Sequence, residues 1–366
     1  MKFKINKDEI VLPLQHITKV ATSKVIPILS DVLITVSSEK ITLVGGDSNN
    51  FLRYELLKDK FTFIRAGSIV LPISTFYEII KKMDGEMLEV ELINDSSVDV
   101  IAGESKFRIT GMDASEYPEV RIEDGGQQVI MSGDHLKNLI QQTLYAISTK
   151  EEAPILSGIN IIVDNDSIRF ISCDRHRLAR VTEVFRTGIY ENRVISGKTL
   201  AEIKNIVKDD LPVQINFVHN RVHFKQGIFT YTVTPLDGTY PDTERMITMD
   251  FHTVAIVSTK NLIRALERSL IISDSSTGFI IRMQISDKQI RIYCQNENGH
   301  LDEQIILHSM FGDSFELNYN VKYALDALKT IQTEHTTIHY NRTKRMIVFK
   351  PDGQENTIHL IMGAMK

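Results

Sequence analysis

The densest grouping of residues able to move protons or hold charge is Asp174-Arg175-His176-Arg177. An imidazole beside a carboxylate and two guanidiniums could serve acid–base catalysis, or it could anchor a polar ligand by hydrogen bonds. The anchoring role is expected, because nothing else that a catalytic centre needs stands at a recognisable spacing. The glycines form no Gly-x-x-x-x-Gly-Lys-Ser/Thr loop to cradle phosphates. No His-Glu-x-x-His helix and no paired cysteines offer a metal site, so neither a metal nor a cofactor is expected, and the chain is read as non-catalytic. Asp209-Asp210 reads as a solvated loop. Cys173 and Cys294 stand far apart without a Cys-x-x-Cys pair, which fits buried thiols in a reducing cytoplasm.

A second kind of chemistry is purely electrostatic. Lys260, Arg264 and Arg268 step by four along one helical face, as do Lys204 and Lys208. The expected helices are 8–21, 74–83, 133–147, 198–208, 259–270 and 320–331. They carry twelve basic and seven acidic side chains, a balance of +5 in a chain whose net charge is −5. Lysine and arginine suit any exposed helix position. Four of the six lean positive, 133–147 balances and 8–21 is net acidic; a surplus of that size in an acidic chain points beyond that, to a shared positive surface able to attract phosphates whatever the base sequence.

The elements that must position these residues repeat three times. Pro27-Ile28-Leu29-Ser30 recurs as Pro154-Ile155-Leu156-Ser157, and the same shift carries Ile41-Thr42-Leu43-Val44 onto Ile168-Arg169-Phe170-Ile171 and Asp47 onto Asp174. A further shift carries Ile168 to Ser172 onto Ile290 to Cys294. The Tyr-Pro of Asp113–Pro118 returns at Tyr240-Pro241. Each repeat has two amphipathic stripes, such as Leu136, Leu139, Ile140 and Leu144 in the second and Leu262, Ile263, Leu266 and Leu270 in the third. Ser132, Ser196, Ser258 and Asn320 stand where caps are expected, and Pro13 should kink the first helix. Strand patterns lie between: Val98–Ile101, Phe107–Thr110, Val213–Val218, Arg221–Lys225, Phe229–Val233, Thr337–Tyr340 and Met346–Phe349. The fold class is therefore α+β, with two helices on antiparallel sheets in each repeat. Polar stretches near Glu123–Gln127 and Thr248–Phe251 put the domains at 1–124, 125–248 and 249–366. Apolar runs are too short to span a membrane, and Met1 to Asn6 lacks a secretion signal's apolar core, so a cytoplasmic protein is expected.

Over its whole length the sequence resembles the beta subunit of bacterial DNA polymerase III, the beta sliding clamp. The resemblance is carried by Met1-Lys2-Phe3, Pro27-Ile28-Leu29, Asp174 to Ala179, Tyr240-Pro241-Asp242 and His359 to Met362. It implies a head-to-tail homodimer whose six domains place twelve helices around double-stranded DNA, tethering polymerase subunits, with clamp loader and repair proteins as further partners. It also implies a pocket for partner peptides, lined by Leu156, Cys173, Arg175, His176, Arg177, Leu178, Pro241, Arg245, Met246, Met346, Leu360 and Met362. The DNA-facing set would be Lys24, Lys81, Lys82, Lys137, Lys198, Lys204, Lys260, Arg264 and Arg268. The dimer interface would set Phe107 and Ile109 against Ile271 and Ile272.

Departures from the family pattern are as telling. Arg175 stands where the family usually has glycine, and Ser23 and Ser74 replace arginines that contact DNA in relatives. The ending, Met362-Gly363-Ala364-Met365-Lys366, lacks the usual proline and is expected to be the more flexible for it. Near-normal folding, a changed partner preference and weaker or rearranged DNA contact are expected, as in a divergent second clamp. Two alternatives stay open: an enzyme with an unrecognised site, and a clamp-like scaffold that does not encircle DNA.

Overall fold

The computed structural model describes residues 1–23, 25–120, 122, 125–150, 152–247, 250–276 and 278–364. Lys24, the boundary residues Glu123, Asp124, Thr248 and Met249, and the last two residues of the ending lie outside that set.

Seven helices are described: α1 (Lys7–Val20), α2 (Ile73–Lys82), α3 (Gly133–Leu144), α4 (Gly197–Ile206), α5 (Glu244–Ile247), α6 (Thr259–Ile272) and α7 (Val321–Leu328). Six are the expected ones. The fourfold turn α5 is too short to show helical periodicity in the sequence. Most of each apolar stripe is buried: Ile10, Leu14 and Ile17 of α1, Leu136, Leu139 and Ile140 of α3, and Leu262 and Leu266 of α6 fully, with Leu144, Ile263 and Leu270 half-buried. Each fully buried side chain contributes roughly 1.5–3 kcal/mol by leaving water. Asn320 caps α7 by accepting from Lys322 N at 2.9 Å, and Ser258 caps α6 weakly from 3.5 Å. Pro13 does not end α1, which runs from Lys7 to Val20 with the ring buried.

All strand pairings are antiparallel, and every strand expected from sequence is present. The chain forms two compact units, one from residues 1–136 with 201–235, the other from 137–200 with 236–366. These do not follow the repeats, because two wide sheets are each assembled from strands of two successive repeats. In the first unit, Asn50–Leu57 of repeat one pairs with Phe229–Val233 of repeat two within an eight-stranded sheet. In the second unit, Arg177–Val184 of repeat two pairs with Thr357–Met362 of repeat three within a nine-stranded sheet. Backbone hydrogen bonding thus ties the second repeat into both units.

Each unit has a second, smaller sheet. Five strands in the first unit end at the edge strand Ser105–Thr110, and four in the second end at the edge strand Gly299–Ile306. In the first unit α1 packs beside α2 and against Lys40–Gly46 so closely that a Cβ on Gly45 would overlap Ile17. In the second unit α6 packs beside α7 and on Gln289–Asn296 and Gly299–Ile306.

Candidate functional site

The second unit gathers most of the expected pocket residues at the junction of repeats two and three. Pro154 opens a 3-10 turn, closed by Ser157 Oγ donating to Pro154 O at 2.6 Å, which turns Leu156 inward. Strand Ser167–Cys173 delivers Cys173, and strand Arg177–Val184 delivers Leu178 one register position from the third repeat. Leu178 faces Leu360, Leu360 faces Val348, and Met346 faces Met362. Leu156, Cys173, Leu178, Met346 and Leu360 share one buried apolar cluster, with Met246 and Met362 half-buried against its edge. Sequence reading missed Ile155, Ile171, Tyr240, Val348, Ile358 and Phe251, which complete the cluster and its rim. Tyr240 was within reach, since it belongs to the Tyr-Pro-Asp motif. A floor of Leu, Ile and Val edged by Met and Tyr suits an apolar peptide, because Met adapts its shape and the floor does not.

Tyr240 also fixes the end of the floor: its hydroxyl accepts the Cys173 amide at 3.0 Å. Burial pushes the Cys173 and Cys294 thiols up from their ordinary range, so both act as small apolar groups.

The charged tetrad does not form a catalytic constellation. Asp174 Oδ1 accepts from His176 N and Arg177 N, both at 3.0 Å, and Asp174 Oδ2 accepts from Arg177 Nε at 2.9 Å. Its carboxylate is therefore committed to shaping the turn. Arg177 also donates to Asp326 Oδ2 at 2.6 Å and lies over the rings of Tyr323 at 4.5 Å and Tyr145 at 5.4 Å. It is a fastening between strand and α7 more than a pocket side chain. His176 is exposed, stacks on Tyr323 at 6.3 Å, and accepts the Met362 amide on its carbonyl at 2.8 Å. Arg175 is exposed, with φ +77°. Pro241 and Arg245 are exposed, and Arg245 pairs with Asp242 at 3.2 Å.

The expected looseness of the ending is corrected over its described part. Gly363 N donates to Arg345 O at 2.8 Å and Ala364 N to Asn318 O at 2.7 Å. A Cβ at residue 363 would crowd Leu317 and Arg345 O, so glycine here permits a close approach and proline is not needed to hold the chain.

The basic helical residues differ in how free they are. Lys198, Lys260 and Arg264 are exposed and carry no ion pair among the described residues. Lys82 pairs with Glu78 at 3.2 Å, and Lys81 lies 5.4 Å from the Tyr77 ring. Lys137 and Lys204 are half-buried. Arg268 is gripped by Glu303 through two nitrogens, one at 2.8 Å, and offers the least free charge of the set. Ser23 Oγ accepts the Ile26 amide, and Ser74 is exposed.

Of the expected interface residues, Phe107 and Ile271 are 44% and 79% exposed, Ile272 is half-buried and Ile109 is packed into its own core. Among the described residues, the outer edges of Ser105–Thr110 and Gly299–Ile306 have no strand partner. The first edge carries Lys106 and Arg108, which together hold the Asp99 carboxyl well below the usual range. The second carries Asp302 and Glu303.

Among the described residues no cluster of His, Cys, Asp and Glu could hold a metal, and no helix is long and apolar enough to cross a membrane. Comparison with known proteins covers the chain in three successive pieces. The N-terminal, central and C-terminal domains of the DNA polymerase III beta subunit match residues 1–121, 130–242 and 244–365. The beta sliding clamp of Bacillus subtilis is 30% identical over 375 residues, covering 99% of both chains, and that of Staphylococcus aureus is 27% identical. The crystal structure of the Bacillus subtilis DNA polymerase sliding clamp superposes with a TM-score of 0.97 over 100% of this chain and 99% of that one. The DNA polymerase III beta chain of Streptococcus pneumoniae gives 0.95 at 26% identity, with full coverage of both.

Proposed function

This chain belongs to the DNA polymerase III beta-subunit family, and from that premise we propose that it is a sliding clamp, a non-catalytic ring subunit that keeps a polymerase on duplex DNA. The observation that carries the reading is the unbroken tandem likeness of all three repeats to the family's three domains. We take the domains as 1–124, 125–248 and 249–366. The partners we assign are a second copy, double-stranded DNA, and polymerase, clamp-loader and repair proteins carrying apolar peptides, all met in the cytoplasm.

Each function has a physical basis in the residues. Two copies would close head to tail by adding strand Ser105–Thr110 of one to strand Gly299–Ile306 of the other. Phe107 and Ile271 would supply apolar surface to that pairing, and the two edge strands its backbone hydrogen bonds. Lys198, Lys260 and Arg264 would meet phosphates without reading sequence. A closed ring needs only such weak, diffuse attraction, because topology prevents escape and tight contacts would stop sliding. The apolar cluster around Leu178 and Leu360 would receive the partner peptide.

Retention on nicked circular DNA, lost when the circle is cut open, is the expected result. A dimer that washes off intact circles would mean a scaffold that does not encircle DNA, the reading that Ser23 and Ser74 favour. For assembly, Ile271→Glu should convert a dimer into chains of 41.7 kDa by light scattering. An unchanged mass would remove these two edges from the interface.

A further inference from the structure

We infer that Arg175 forms a carboxylate-binding subsite at the rim of the apolar cluster, selecting partner peptides that carry an aspartate or glutamate beside their apolar residues. The inference rests on the reading of that cluster as the peptide pocket.

Three observations carry it. The first is conformational. Arg175 holds φ at +77°, the left-handed region where a Cβ is strained and glycine is not. The turn leaves it no choice: Asp174 Oδ1 accepts the amides of both His176 and Arg177, and Asp174 N donates to Arg177 O at 3.2 Å. The side chain therefore leaves a fixed backbone, between Cys173 and Leu178 of the pocket floor.

The second observation is that this strain brings no contact within the chain. The Arg175 side chain is exposed and makes no hydrogen bond, ion pair or ring contact among the described residues. A strained position kept for a side chain that touches nothing nearby points to a ligand from outside.

The third is the state of the neighbouring charges. Asp174 and Asp326 are both bound to Arg177, and Asp242 is bound to Arg245. Arg175, like the exposed Arg345 beside Met346, has no internal ion pair among the described residues, so an incoming anion meets it without first breaking one. A guanidinium presents a planar fork that matches a carboxylate through two parallel bonds, whereas a neutral amide can accept only part of it.

The test uses the full-length protein and two fluorescein-labelled, amidated peptides of leucine, serine and glutamine, identical except that one flanking glutamine is glutamate. The unmodified chain should bind the glutamate peptide about fivefold more tightly at low salt, with the advantage shrinking as salt rises. Arg175→Gly should bind both peptides equally and melt at a slightly higher temperature, since it relieves the turn; Arg175→Lys should keep only part of the preference. A third peptide, with neutral side chains and a free carboxy terminus, separates capture of a side chain from capture of a chain end. Equal binding of the first two peptides by the unmodified chain, or a preference that survives Arg175→Gly, would overturn the inference. So would a loss of DNA retention in Arg175→Gly with peptide discrimination unchanged, since Arg175 would then be a phosphate contact. If the unmodified chain binds no peptide, the pocket reading itself falls, and the subsite with it.

Discussion

The junction of repeats two and three has a counterpart at the junction of repeats one and two, and the two share the turns that frame them. Pro27–Ser30 forms the same 3-10 turn as Pro154–Ser157, each closed by a serine hydroxyl donating to the proline carbonyl at 2.6 Å. Asp47 shapes its turn as Asp174 does, accepting the amides of Asn49 and Asn50. Leu29, Phe51 and Tyr117 stand where Leu156, Leu178 and Tyr240 stand in the other, inside a smaller cluster of their own. The difference lies in the strands that the following repeat adds. Leu178 faces Leu360, which faces Val348; Phe51 faces Thr232, which faces His223. Likewise Arg180 faces Ile358, whereas Arg53 faces Thr230. At the first junction the added surface is polar, with His223 Nδ1 2.9 Å from Thr232 Oγ1. The scaffold occurs twice; aliphatic side chains on the added strands make the second cluster the larger and more apolar of the two.

Swapping that chemistry gives the largest expected effect. Leu360→Thr with Val348→His, which copies the first junction into the second, should lower stability by about 3 kcal/mol or more and lower peptide affinity by roughly a hundredfold. Unchanged peptide affinity in the folded double variant would break the comparison.

Acid should also distinguish the junctions. His359 lies behind the apolar cluster, wholly buried, with Tyr145 Oη at 3.0 Å, and burial pulls its pKa down to about 3. Its register counterpart in the first unit is Tyr231, bound to Glu202 at 2.6 Å. The imidazole is neutral when folded and protonates near pH 6.5 when unfolded, so its stabilisation is complete above about pH 6.5 and declines as pH falls toward the folded value, by up to about 1.4 kcal/mol per pH unit. His16 in the first unit and His339 in the second, each pulled down by burial to about 4, add to the same slope. Melting temperatures from pH 7 to 4.5 should fall, and His359→Gln should flatten the fall. An equal slope would deny His359 this part.

The two tyrosines should respond with different magnitudes. Tyr240→Phe strands the Cys173 amide and should cost about 1–2 kcal/mol in a denaturant titration. The Tyr117 hydroxyl is buried with no hydrogen-bond partner among the described residues, so Tyr117→Phe should be neutral or stabilising, within about 1 kcal/mol. Equal losses would mean that the junctions use their tyrosines alike.

Local periodicity determined a good deal by itself. The six long helices, their buried stripes, the strands and the threefold repeat were legible because amphipathic spacing acts over a few residues, wherever an element later packs. The resemblance to a family pattern singled out Leu156, Cys173, Leu178, Met346 and Leu360, which the structure gathers into one apolar cluster. Tertiary structure alone decided the rest. That Arg177 is bound to Asp326, 149 positions away, is not visible in the sequence. Arg268 reads as a free cation until Glu303 grips it. That two compact units cut across three repeats, and that one junction is apolar and its twin polar, follow from which strand edges pair. Pairing joins residues that are distant in the chain, and its register is fixed once a face of the assembled sheet is buried.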